Sequence, residues 1–159
     1  MMTYIEQKMD IRNAPNDSDT VIAHCIAADL NWGSGVAPII NREMFDVENY
    51  CRYKCSTNPD GVQKELRVGE ILAVKGSTKR NNVLVNLITK LRSQYKPTYE
   101  HLTESLNTLR NYMELNGLTN LYMPKIGCGI DMLHWSVVSP IIKGVFASTN
   151  IKITIAVRD

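Results

Sequence analysis

Three kinds of residue in this chain stand where they could do chemistry: glycine loops, a carboxylate and a lysine at strand ends, and one histidine inside an apolar run. The first loop, Gly127-Cys128-Gly129-Ile130-Asp131, follows an apolar run, Leu121 to Met123, that Pro124 breaks. A helical pattern begins after Trp135. A strand, a glycine loop and a helix start, in that order, aim backbone N–H groups at an anion. The missing Cβ atoms at 127 and 129 let a phosphate approach the main chain. Asp131 would repel such a ligand, and the plain reading for it is a helix N-cap. A second loop, Gly33-Ser34-Gly35, follows the apolar run Val21 to Ile26, which contains His24. In a buried strand His24 is either a satisfied core residue or an acid–base group. Lys90, at the end of Leu87-Ile88-Thr89-Lys90, reads by itself as a solvated charge. Loops of this kind gather at the carboxyl ends of strands in α/β sheets, where a ligand cleft forms.

The elements that must position these residues follow from periodicity. Predicted strands are 4–9, with Asp10 at its end, then 21–26, 70–74, 83–88, a run ending at Pro124, and 151–157. Gly76 to Asn82 reads as the polar turn joining the third and fourth. Residues 36–45 are predicted helical, with Pro38 in the first turn. The clearest helix runs from an N-cap at Thr98 to about Asn116, closed by Gly117. Its stripe of Leu102, Leu106, Leu109 and Met113 is core. The last helix is predicted over 137–146, with Pro140 confined to its first turn. Asn58-Pro59-Asp60-Gly61 reads as a turn. Strands alternating with helices imply an α/β domain with helices on both faces of the sheet.

Composition sets the bounds. The 159 residues suit a single domain, and 44% hydrophobic content supports a sizeable core. A net charge of +2 with no long basic run argues against tight non-specific nucleic-acid binding. No apolar run is long enough to span a bilayer. The amino terminus is charged early and lacks an apolar core, so a cytoplasmic protein is expected, in the host cytoplasm if viral. The four cysteines, Cys25, Cys51, Cys55 and Cys128, then read as reduced thiols. Cys51 and Cys55 could share a helix face, but zinc wants a second close pair that the sequence lacks.

Taken together, Ala23-His24-Cys25-Ile26, Leu87-Ile88-Thr89-Lys90, Lys96-Pro97-Thr98-Tyr99-Glu100, Pro124-Lys125-Ile126-Gly127-Cys128-Gly129-Ile130-Asp131 and Ile151-Lys152-Ile153-Thr154 resemble the macro domain family. The branch they resemble contains terminal ADP-ribose protein glycohydrolase and the ADP-ribose 1″-phosphate phosphatases. The resemblance implies a three-layer α/β/α sandwich with a mixed central sheet, and ADP-ribose as ligand. It implies that Asp10 accepts a hydrogen bond from the adenine amino group, with Ile11 beside it. The loop Gly33-Ser34-Gly35-Val36 and the loop Ile126-Gly127-Cys128-Gly129-Ile130 would hold the diphosphate and distal ribose. Lys90 would attack the distal ribose, and Asp131 would handle protons and release.

That chemistry is self-consistent. Ring opening at the anomeric carbon exposes a carbonyl that an amine traps as a Schiff base. An amine attacks only when neutral, which calls for desolvation or a nearby cation. A neighbouring carboxylate serves as general acid and then base. No metal or other cofactor is expected. Two substrates fit an enzyme: an ADP-ribosyl ester on an acidic side chain or modified base, or ADP-ribose 1″-phosphate, for which His24 is a further acid–base candidate beside Asp131. The rival is a non-catalytic ADP-ribose reader. Nucleic acid is expected only as a modified substrate, no membrane partner is expected, and the protein is expected to be a monomer.

Overall fold

The computed structural model describes residues 1–30, 37–45, 66–75, 79–129 and 131–158. Six strands form one sheet: β1 (Thr3–Lys8), β2 (Thr20–Ala27), β3 (Ile71–Val74), β4 (Val83–Lys90), β5 (Asn120–Pro124) and β6 (Lys152–Val157). Their spatial order is β1-β6-β5-β2-β4-β3. All neighbours run parallel except β3, which is antiparallel to β4. The sheet is therefore mixed, with the odd strand at one edge. The adjacent interior strands β2 (TVIAHCIA) and β4 (VLVNLITK) are buried almost throughout. Near-continuous apolar runs are what a parallel strand covered on both faces requires. β1 (TYIEQK) is mostly exposed, and its charged residues suit an edge strand.

Two helices cover one face. Helix α1 spans Tyr99–Leu115 and α2 spans Trp135–Phe146. In α1 the predicted stripe of Leu102, Leu106, Leu109 and Met113 is fully buried against Val85, Leu87, Leu121 and Met123. Each such side chain contributes about 1.5–3 kcal/mol by leaving water. Thr98 caps α1 by accepting from the His101 N–H at 3.1 Å. At the other end the Gly117 N–H donates to Glu114 and the Leu118 N–H to Met113. That double closure needs a left-handed residue, and Gly117 has φ +64°. The opposite face is covered by Ile11, Ile40, Met44 and Phe45, packed on Ile22, Ile26, Leu84 and Ile88.

Two expectations are corrected. Residues 39–44 form a π-helical segment rather than an α-helix, closed by the Phe45 N–H donating to Ile40 at 3.0 Å. The wider turn puts Ile40, Met44 and Phe45 on the core together. Helix α2 begins at Trp135, so Pro140 lies in its second turn and not its first. The proline removes the N–H that would meet the Ser136 carbonyl. The Cys51–Cys55 pair and the 58–61 turn lie outside the described residues.

Candidate active site

The parallel strands carry Lys90 and Asp131 to the same end of the sheet. Lys90 is the last residue of β4, rather than the residue after it, and Asp131 lies in the loop after β5. Those strands flank β2 on either side, so the two side chains meet across its carboxyl end. Chain direction away from β2 splits there, which opens a crevice in sheets of this class.

A bulge aims the lysine. Ile26 pairs with Ile88, but the next residue, Ala27, pairs with Lys90, leaving Thr89 as the extra residue. Strict alternation would have put Lys90 on the face of Asn86 and Ile88. The extra residue turns it to the face of Cys25 and Ala27, as bulges do beside functional sites. Lys90 Nζ donates to Asp131 Oδ1 at 2.6 Å and to the Ser93 carbonyl at 3.0 Å. The two side chains are 12% and 16% exposed, open enough for a ligand and sheltered enough to strengthen the pair. Asp131 thus does not cap α2. The N-cap is His134, which has no side-chain cap bond.

The loop carrying Asp131 is held by its own backbone. Gly127 has φ +73°, and a Cβ there would meet Leu133 Cδ1 at 2.9 Å. Glycine suits position 127 because of that left-handed φ and because Leu133 packs over it, with the Leu133 N–H donating to the Gly127 carbonyl at 2.8 Å. The Met132 N–H closes a turn onto Gly129, with Met132 itself at φ +62°. A Cβ at Gly129 would meet nothing within 4 Å among the described residues. Ile126 is core, and the Cys128 thiol donates to the Ile126 carbonyl. The loop's far end is fastened to α1, where the Tyr99 hydroxyl accepts from the His134 N–H at 3.1 Å.

The remaining candidates are placed as follows. His24 is not beside Asp131. It is fully buried on the other face of β2, where its Nε2 bonds Asn86 Oδ1 at 2.8 Å. Burial lowers its pKa to about 4, so it is a neutral imidazole. Asp10 caps the 3-10 turn Ile11–Asn13 by accepting from the Arg12 N–H at 2.9 Å. Its carboxylate also takes the Arg12 guanidinium, at 2.7 Å, and those bonds lower its pKa to about 2. Ile11 points its side chain into the second core. Gly33, Ser34, Gly35, Val36 and Ile130 lie outside the described residues. Cys25 lies close to the pair, and its thiol is pushed up to about 12, by burial first and then by the Asp131 charge. Burial likewise raises Cys128. Both thiols are therefore poor nucleophiles. Among the described residues no three metal-binding side chains gather into a site. A polar hollow of about 710 Å³ lies at the opposite end of the sheet, and its Arg80 is already bonded to Arg12, Ala14 and Asn82.

The sequence reading missed the Ser93 carbonyl, the Thr89 bulge and the Tyr99 clamp. Main-chain acceptors and bulges carry no side-chain signature. Tyr99 sits in a motif already singled out, yet its partner is a backbone N–H far along the chain.

Comparison with known proteins bears on this arrangement. Residues 23–142 match the model of the Macro domain. The chain is 34% identical to the human protein named ADP-ribose glycohydrolase OARD1 over 154 residues, covering 97% of this chain and 90% of that protein. The macrodomain of Thermus aquaticus DarG superposes with a TM-score of 0.75 at 19% identity, covering 98% of this chain and 97% of that one. Thermosipho africanus DarTG, solved in complex with ADP-ribose, gives 0.77 at 17% identity, covering 98% of this chain and 41% of its own. With its mixed six-stranded sheet, a family match over residues 23–142 and 34% identity to a curated relative across nearly its whole length, the chain belongs to the macro domain family.

Proposed function

We propose that this macro domain is a hydrolase acting at the terminal ribose of ADP-ribose, and that it releases ADP-ribose from an ester-linked acceptor through Lys90. The observation that carries this reading is the 2.6 Å contact between Lys90 Nζ and Asp131 Oδ1 at the mouth of the glycine loop. The human relative's name, ADP-ribose glycohydrolase, supports it. The reading of the lysine's surroundings is sharpened as well. Its partner is a carboxylate, so activation runs through a proton acceptor in contact rather than a neighbouring cation.

The steps are these. Asp131 takes a proton from Lys90, and the amine bonds to C1″ while the acceptor leaves as a carboxylate. The substituted nitrogen gives up a second proton to solvent, the sugar ring opens to a protonated Schiff base, and Asp131 returns its proton to the ring oxygen. Water then adds to C1″ and expels the lysine, with Asp131 again moving the proton, and ADP-ribose is released. The loop at Gly129 receives the phosphates on backbone N–H groups. Asp10, sharing its carboxylate with Arg12, faces the adenine. Both members of the pair belong to one chain, so a monomer suffices. A 1″-phosphatase is the weaker reading, because His24, its additional acid–base candidate, is buried on the other face of β2 and Asp131 would have to act alone.

The test is intact mass spectrometry after borohydride reduction, with an ADP-ribosylated glutamate peptide. Asp131→Ala, run at alkaline pH where bulk base deprotonates the lysine, should carry an adduct mapped to Lys90. Lys90→Ala should show neither adduct nor release. Full release by Lys90→Ala would sink the lysine route. Phosphate release from ADP-ribose 1″-phosphate with no adduct would move the assignment to the phosphatase, and binding without either reaction would leave a reader.

A further inference from the structure

Lys90 has a second fixed partner besides Asp131, the Ser93 carbonyl, and that carbonyl is itself held in place. A main-chain carbonyl at the end of a short surface turn has no stiffness of its own. Here two bonds from one neighbouring turn supply it. The Ala28 N–H donates to the Lys90 carbonyl at 2.9 Å, and Asp29 Oδ2 accepts from the Ser93 N–H at 2.8 Å. The turn that supplies both is set by the chain just past β2. The Leu30 N–H closes onto the Ala27 carbonyl at 3.1 Å, and Leu30 adopts φ +59°, a left-handed conformation that leucine seldom takes. Strain of this kind persists where the surroundings require it.

From this arrangement we infer that Asp29 is a positioning residue for the Lys90 amine, acting through the Ser93 peptide. The inference rests on the lysine route proposed above. An ammonium has three N–H directions on a rotor. Two are occupied, by Asp131 and by the Ser93 carbonyl, so the third direction is fixed in space. When Asp131 takes its proton the lone pair emerges on the Asp131 side, and the retained bond to the Ser93 carbonyl fixes the rotor and with it the angle at which that lone pair stands. Without the Asp29 bond the 91–95 turn loosens, the Ser93 carbonyl moves, and the amine samples angles from which it cannot reach the anomeric carbon. Misplacement of a reacting group by a fraction of an ångström is costly in rate and leaves binding largely untouched. The carbonyl cannot be deleted by substitution, which makes Asp29 the experimental handle. Asparagine at 29 keeps an acceptor oxygen, so the geometry survives there if hydrogen bonding rather than charge does the work.

The experiment compares Asp29→Ala and Asp29→Asn with the parent in two measurements. In steady-state release of ADP-ribose from the glutamate ester, Asp29→Ala should lower kcat about tenfold while KM and ADP-ribose affinity stay within about twofold. Asp29→Asn should recover at least about half of the parent kcat. In the ligand-free protein, proton NMR exchange of the Lys90 Nζ–H should be slow in the parent and in Asp29→Asn, and fast in Asp29→Ala. The inference is overturned by a parental kcat in Asp29→Ala, by a loss seen in KM alone, by failure of asparagine to rescue, or by unchanged exchange at Lys90. A parent that releases no ADP-ribose would sink the lysine route, while the exchange measurement still decides the positioning role.

Discussion

Two polar clusters share strand β4, and they differ in almost everything else. At the carboxyl end, Lys90 and Asp131 are partly open, in direct contact, and held by further bonds to Ser93 and its neighbours. A few residues earlier, on the opposite face, His24 and Asn86 are sealed from solvent. There Asn41 lies beside the His24 ring, and neither its amide atoms nor the His24 Nδ1 makes a well-formed hydrogen bond among the described residues. Both clusters contain residues with catalytic potential by type. What separates them is a single extra residue, Thr89, that puts Lys90 on one face and leaves Asn86 on the other. The contrast teaches that position relative to the strand end, more than residue type, divides chemistry from architecture. The outer cluster can exchange protons with a ligand. The inner one can only specify packing, or weaken it when protonated.

The largest expected effect isolates the outer cluster. Asp131→Asn keeps an oxygen to accept from Lys90 but cannot take its proton. Ester release should fall about a thousandfold. Stability should drop by no more than about 1 kcal/mol, since Lys90 retains a partner. Urea unfolding beside the rate assay checks both halves, and a matched loss of activity and stability would break the distinction between the clusters.

The next effect belongs to the inner cluster. Burial holds His24 near 4 in the folded protein against 6.5 in an open chain, so the unfolded chain takes up the proton first. Stability from this group is whole above about pH 6.5 and drains as pH falls toward 4. The full window is worth about 3 kcal/mol. Urea unfolding at stepped pH should show the loss, and His24→Gln, which cannot titrate, should flatten it. A slope unchanged in His24→Gln would assign the acid sensitivity elsewhere.

How far these clusters were legible in the sequence depends on what each rests upon. Strands β2 and β4 were plain because buried parallel strands are apolar throughout, and α1 because its stripe, its Thr98 cap and Gly117 agree. Lys90 and Asp131 were legible only as members of longer motifs. Alone, a lysine after a strand and an aspartate near a helix start have commoner explanations, and no short-range pattern shows them 2.6 Å apart. The face of Lys90 was not legible, since alternation predicts the wrong one and Thr89 does not announce a bulge. The start of α2 was misjudged because Pro140 suggested a first turn. A proline is tolerated further in when the neighbouring turns and the core hold the helix. The π-helical segment was hidden because its apolar residues also fit an α-helix.

The smallest effect tests whether the outer cluster is organised at its chemical end or along its whole loop. The loop from β5 is fastened at three places: by Asp131 on Lys90, by Leu133 over Gly127, and by the His134 N–H on the Tyr99 hydroxyl. Tyr99→Phe removes only the last. The His134 amide is exposed, so water can replace the hydroxyl, and the loss should be about 0.5–1 kcal/mol of stability. Because Leu133 lies between that end and Asp131, disorder at His134 should be absorbed before it reaches the carboxylate. Ester release should then fall by no more than about threefold, with the Lys90 adduct forming near the parental rate. A drop comparable to that of Asp131→Asn would mean that the α1 contact sets the carboxylate's position. The boundary between chemistry and architecture would then have to be drawn outside the loop rather than inside it.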